Sequence, residues 1–392
     1  MSFALGYERE MKLLAETNGS WGTTPSSALT KFLVTGGSIK HVNEEHENDE
    51  IYTDGQKGDN ALISEKGIGS MPFNVRFCDV MHELLLFSVG AASWSSTSIA
   101  AATDIAFNAD DNALSSTVTD FCDNSMTVGQ IIKLSGDQGA GNAGLGMITA
   151  IAPRKLTLSP DWLDLDVEAA GDEMTIASDY CRNATTLNSH TVEEEYTEST
   201  EFKYGEGFTI ESLALTIEAG SIVKGDITFM GEKVTMAGTT SGTGSETAAS
   251  TITPFLANAG INKVYLDNAV LTSGTQKFNI NISRNLIPKT ELTSNTMTTI
   301  GIGQFTVTID IGAYFEDSTE YDIFKARTPK RFDIVMVDAA GNYYCGTMFR
   351  GIAADVPEME PSIEDPIIVE ATINSSRSTS PAKMWQWTKI AA

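Results

Sequence analysis

Five carboxylates fall within seven positions, Glu44, Glu45, Glu47, Asp49 and Glu50, and Asp54 and Asp59 follow soon after. Such a run could hold a divalent cation or supply an acid and base pair. The rest of either machinery is absent. HVNEEH (41–46) sets its histidines five apart, which fits neither H-E-x-x-H nor H-x-x-E-H, so it is read as a polar loop. NADDNA (108–113) lacks the glycine and later glutamate of a calcium loop, and a solvated loop is preferred over loose calcium binding at the acidic run. GAGNAG (139–144) matches G-x-G-x-x-G, but GMITAIA after it alternates like a strand where a dinucleotide site needs a helix, so a hairpin turn is expected. Of four histidines, His82 falls in a helical pattern and His190 precedes a strand. Neither has a nucleophile in view, and GxSxG and GxxxxGK[ST] do not occur. No catalytic, cofactor or metal residue is assigned, and the chain is read as a non-enzyme.

The bulk properties agree. The 392 residues carry 26 basic against 52 acidic side chains, a net charge of -26, with no Lys/Arg-rich run, which disfavours attractive binding to nucleic acid. Hydrophobic residues at 41% and charged residues at 20% describe a globular chain long enough for two or three domains. Cys78, Cys122, Cys181 and Cys345 lie far apart without a CxxC pair, and MSFALGYEREMKLLAE has no basic n-region or long apolar core. The expectation is a reduced protein made in the cytoplasm, with no segment of 18 apolar residues to span a membrane.

Period-two alternation dominates, as in FTIESLALTIE (208–218), KFNINISRNLI (277–287), FTVTIDIGAYF (305–315) and FDIVMVD (332–338), so the fold is mainly β. Two helices are predicted. In CDVMHELLLFSVG (78–90), Val80, Met81, Leu84, Leu85 and Val89 share a face and Gly90 supplies the C-terminal cap; DSTEYDIFKARTP (317–329) starts with Asp317 and Glu320 and stops at Pro329. Each helix follows G-I-G and an alternating strand, at Gly67–Gly69 and Gly301–Gly303, and each G-I-G follows a polar excursion. The pattern predicts a tandem duplication. The first unit is 1–94 plus 184–237, interrupted by a small inserted β (Ig-like) domain at 95–183; 238–261 is a linker containing GTTSGTGSETAAS, and 262–392 is the second unit. The N-terminal YEREMKLLAE has mixed helical and loop character, and MWQWTK puts Trp385 and Trp387 on one face of an extended segment that docks on the body or a neighbour.

AETNGSWGTTPSSALTKFLVTGGSI, the NDEIYTDGQKG loop and GIGSMPFNVRF, then RNATTLNSHTVEEEYTE and GFTIESLALTIEAGSIVKGDITFMGEK, resemble major tail tube proteins of long-tailed bacteriophages and gene-transfer particles; FTVTIDIGAYFEDSTEYDIF and DAAGNYYCGTMFRGIAADV are similar to the remainder. The resemblance implies tail-tube-type β-sandwich or barrel units, each flanked by a helix, in rings that stack into a DNA conduit with an acidic lumen. It places the inter-ring stacking loop at 43–66, with Glu44, Glu45, Glu47, Asp49, Glu50, Asp54 and Asp59 as its acid and Lys57 or Lys66 for charge pairing; a solvated hairpin tip is the alternative. The implied partners are further copies, as pseudo-six-fold trimers or alternatively hexamers, a tape-measure protein, tail terminator and distal tail proteins at the ends, and genomic DNA passing without specific binding. The implied location is the virion tail, after assembly in the host cytoplasm. A capsid decoration protein with Ig-like domains is the rival reading.

Overall fold

The computed structural model describes residues 9–16, 20–48, 50, 59–137, 139–257, 261–267, 269–271, 274–291, 294–314, 325–354, 358–360 and 368–392. The chain begins with β1 (Arg9–Ala15), β2 (Thr30–Phe32), β3 (Ser38–His46), β4 (Ala61–Asn74) and helix α1 (Asp79–Ser88). Next come β5 (Ser95–Ala102), β6 (Ile105–Asn108), β7 (Ala113–Ser116), β8 (Ile131–Gly136), β9 (Gly144–Ala152), β10 (Lys155–Leu158) and β11 (Met174–Arg182). The first half resumes with β12 (His190–Tyr196), β13 (Glu201–Glu218), β14 (Lys224–Gly231) and β15 (Lys233–Ala237). The second half holds β16 (Ile261–Leu266), β17 (Ala269–Val270), β18 (Thr275–Ser283), β19 (Ile287–Glu291), β20 (Ser294–Gly301) and β21 (Thr306–Tyr314). It ends with β22 (Lys330–Val337), β23 (Tyr343–Ala353), β24 (Glu358–Glu360), β25 (Ile368–Ser375) and β26 (Trp385–Ile390).

The two halves repeat one pairing scheme. Their outer sheets run β2–β1–β12–β13–β15 and β17–β16–β22–β23–β26. Their inner sheets run β3–β4–β14–β13 and β18–β21–β25–β23. In each half one long strand, β13 or β23, starts in the outer sheet and finishes in the inner one. The inner sheets then fuse, because Ser212–Glu218 of β13 pairs antiparallel with Lys277–Ser283 of β18. The product is one sheet of order β3–β4–β14–β13–β18–β21–β25–β23.

Alternation decides which face of this sheet is buried. Leu213, Leu215 and Ile217 of β13, Phe278, Ile280 and Ile282 of β18, and Val307, Ile309 and Ile311 of β21 enter a common core with Leu84 and Leu85 of α1. The helix ends as the sequence predicts. Gly90 has φ +64, its N–H donates to Phe87 O at 3.0 Å, and the Ala91 N–H donates to Leu86 O at 3.2 Å, the two bonds of a Schellman cap. Buried Arg284, arriving from the end of β18, donates to the same Phe87 carbonyl at 3.1 Å and to Thr186 O at 2.7 Å. Burial lowers its pKa to about 10, so it stays charged at the negative end of the helix and ties the second half to the first.

Residues of β5–β11 enclose a core of their own, including Phe107, Leu114, Phe121, Ile132, Ile148 and Ile176. Their sheet, β6–β7–β10–β9–β8–β11–β5, continues into the second half through β11, whose Asp179–Arg182 pair with Gln386–Lys389 of β26. Trp162 stacks on Tyr265 of the second outer sheet at 3.9 Å between ring centres. GAGNAG is a turn between β8 and β9, as expected.

Two expectations change, and a third lies mostly outside the described residues. The HVNEEH residues are strand, not loop: β3 runs to His46, and its polar side chains suit an exposed two-stranded arm. Residues 9–15, expected as helix and loop, form β1, because Met11 and Leu13 alternate into the core beside β12. The second predicted helix lies mostly outside the described residues, which resume at Lys325. Trp385 and Trp387 dock on the body, fully buried and 5.0 Å apart edge to face. Among the described residues no helix is long and apolar enough to cross a membrane.

A Cβ at Gly90 would lie 2.8 Å from Ala184 O and 2.9 Å from the Arg284 guanidinium. Gly90→Ala is therefore expected to cost at least about 1–2 kcal/mol from its left-handed backbone alone, measured as a lowered midpoint in denaturant with unchanged slope.

Candidate assembly surfaces

The polar excursions before the two G-I-G segments are a pair of arms. β3 and β4 extend beyond the body as a hairpin, paired from His41 with Gly67 to His46 with Ala61. β19 and β20 form the second arm, paired from Ile287 with Gly301 to Glu291 with Ser294. The arms meet side by side at Thr296 and Glu65. Where the second arm leaves the body, Leu286, Met297 and Ile300 pack on Met230, Trp21 and Leu187 of the first half.

The acidic residues are distributed along the first arm. Glu44 and Glu45 close β3, Glu47 and Glu50 follow it exposed, and Asp59 precedes β4. Asp49, Asp54 and Lys57 lie outside the described residues. Lys66 of β4 is ion-paired across the arm with Glu44, whose carboxylate also accepts from Ser64 Oγ at 2.8 Å. The Lys66 bond first, and the Ser64 bond after it, hold the Glu44 pKa below its ordinary value. Asn60 donates to Glu45 at 3.1 Å. Leu62 and Ile63 of the same arm are exposed, an apolar surface that alternation alone did not single out.

The face of the inner sheet that turns away from the core is mostly polar, with Ile68 of β4 exposed on it beside Lys40. It presents Glu218, Asp226, Asp310 and Glu370 against Lys40, Lys224 and Lys277, with Ser212, Thr216, Asn279, Asn281, Thr308 and Thr372 between them. The charge there is sparse and only weakly acidic.

This sheet stops at two edges. Among the described residues, β3 has β4 as its strand partner and nothing strand-like on the other side, where the Ile39 N–H donates to the buried Glu194 carboxylate at 2.6 Å. Beyond Gly351, β23 and then β24 have β25 on one side and, among the described residues, no strand on the other.

A buried charge cluster holds the Gly/Ser/Thr-rich stretch 238–250 against the first outer sheet. Lys12 is fully buried and contacts Glu195, Glu246 and, at 3.3 Å, Glu193. Glu193 also accepts from Thr240 Oγ1 at 2.9 Å and from the Ser241 N–H at 2.7 Å. Lys31 pairs with Glu10 and, at 3.3 Å, Glu246. Burial by itself lowers the Lys12 pKa, but the bonds to Glu195 and Glu246 and the charge of Glu193 outweigh it and leave the pKa raised. The carboxylates of Glu10, Glu195 and Glu246 converge closely enough to hold a metal ion, and the two lysine ammonium groups sit among them. Of the histidines, His82 is wedged among Phe77, Trp94 and Tyr344, and burial, helped by Lys389, lowers its pKa to about 4. It is a packing residue.

A protein family described as phage tail tube protein matches residues 6–375. No curated protein matches the chain.

Lys12→Met would leave Glu193 buried without its cation, an expected loss of about 3–5 kcal/mol. Chemical denaturation checks the size, and faster proteolytic cleavage within 238–250 checks that the stretch has been released.

Proposed function

Because this chain belongs to the phage tail tube protein family, a family of structural proteins of the virion tail, we propose that three copies close into one ring and that rings stack into the tube through which DNA leaves. The observation that carries this reading is the joint between β13 and β18. It joins two like inner sheets edge to edge inside one chain, and the edges left over, β3 and the end of β23 with β24, are the same two kinds of edge. Repeating the joint between chains satisfies both, and three copies give six equivalent inner sheets. Closure is the way a sheet removes its edges altogether.

The uncovered polar face of the inner sheet then lines the bore. Its hydroxyl and amide side chains hydrate well, and its few lysines are matched by carboxylates, so passing phosphates find few lasting contacts. Each phosphate held by a basic group would add a salt-dependent attraction to be broken during sliding. A weakly acidic, hydroxyl-rich wall suits transit better than either a basic or a strongly apolar one. The residues beyond the first arm, 47–60, serve as the connector to the next ring, gaining partners on assembly. Tape-measure, terminator and distal tail proteins would bound the tube at its ends, and assembly would take place in the host cytoplasm. A capsid decoration role has no comparable use for two matching open edges.

Microscopy of the purified protein or of tails, with mass per ring, tests the stoichiometry. Three copies are expected, and six copies of this chain per ring would refute it. Replacing 47–60 with a two-residue turn is expected to leave folded rings that no longer stack, and normal tubes from the shortened chain would remove the connector role. Substituting lysine at Asn281 and Thr308, which are paired across β18 and β21, is expected to slow genome ejection at low salt, with added salt restoring the rate; unchanged ejection would show that this face does not meet DNA.

A further inference from the structure

The chain contains one completed joint between an arm and a body, and the parts of a second that is incomplete. In the completed joint, the second arm lies on the first half, with Met297 1% exposed and packed into the cluster around Met230. Ile63 holds the corresponding place in the first arm, since both residues come four positions before a G-I-G. Yet Ile63 is 50% exposed. Leu62 beside it is exposed as well, and an apolar pair left bare at the place the other repeat covers points to a missing neighbour.

The pairing scheme identifies the surface that neighbour must offer. Met230, next to the end of β14, lies opposite Thr209 of β13, and both are buried. In the second half the corresponding first pair is Gly351 with Ser375, and just beyond it the Ser376 N–H donates 2.8 Å to Arg350 O. Arg350 and the adjacent Arg377 are exposed. Thus one repeat covers this corner with its own chain, and in the other the described residues leave two exposed arginines there. The first arm cannot cover it within the chain, because β3 and the end of β23 stand at opposite edges of the inner sheet.

We infer that the first arm of one copy seats on the second half of the next copy in the same ring, with Ile63 against the body and Glu44 and Glu45 facing Arg350 and Arg377. The inference rests on the three-copy ring reading. The charges are complementary where the contact is between chains: the first arm carries Glu44, Glu45 and Glu65 against Lys66, which Glu44 already holds, and so keeps an acidic excess facing two arginines on the seat. They are balanced where it is within the chain, the second arm carrying Lys289 and Glu291. An intrachain joint needs no steering, whereas an encounter between separate copies gains speed and orientation from opposite charges. The base of the acidic arm is therefore a lateral, ring-closing contact, and its stretch beyond β3 remains the axial one.

The test is charge exchange in the full-length chain, with ring formation followed by native mass spectrometry and sedimentation. Arg350→Glu with Arg377→Glu, and separately Glu44→Arg with Glu45→Arg, are each expected to raise the concentration needed for closed rings at least tenfold at low salt. Circular dichroism of the monomers should stay as in the parent chain. Combining all four changes is expected to restore closure, which a mere folding defect would not allow. Rings that close normally in both charge-reversed chains, or a combined variant no better than either, would overturn the inference while leaving the ring reading intact. An unmodified chain that forms no three-copy ring would take down the ring reading and this inference with it.

Discussion

A β-sheet must end somewhere, and each end exposes a row of backbone N–H and C=O groups that no side chain can fully satisfy. In this chain that constraint governs the rest. The inner sheet is already two sheets joined at β13 and β18, so the molecule displays its own solution to the problem: an edge of the β13 kind accepts an edge of the β3 kind. Each edge left open is the complement of the other. The cores, the helix and the outer sheets hold these edges at a fixed curvature and register. Glu194, buried and bonded to the Ile39 N–H, keeps the β3 edge in place before any neighbour arrives.

Holding edges rigid requires the two halves to behave as one body, and much of that work falls to buried charge. Arg284 connects the end of β18 to the carbonyl end of α1, and the Lys12 cluster ties 238–250 to the first outer sheet. Both place ions where burial disfavours them, and both compensate with several directed bonds. Such contacts are unforgiving of displacement. They suit a part that presents an interface at constant geometry.

The repeated pairing scheme was legible because G-I-G and the alternating strand after it recur in order, and the capping glycine Gly90 and the i, i+2 tryptophans near the C terminus announce their roles locally. What the sequence hid is non-local. Nothing around Lys12 distinguishes a lysine that is fully buried from one that is solvated, since its carboxylates come from residues 193–195 and 246. The stretch 238–250 looks like a linker because the hydroxyls and small residues that Glu193 holds are also the ones flexible linkers use. HVNEEH resembled a loop because this part of β3 is exposed on both faces, which erases the alternation that normally reveals a strand. The weakly acidic inner face was equally hidden: the net charge of the chain says nothing about where its carboxylates point.

Among the described residues the β5–β11 module occurs once, and Trp162 and β11 fix it to the outer sheet of the second half. The halves are alike inside and unlike outside. A pipe made from three such chains presents nearly sixfold walls to whatever travels through it and only threefold relief to whatever approaches from the medium. Any molecule that grips the exterior would find half as many footholds as the interior symmetry suggests.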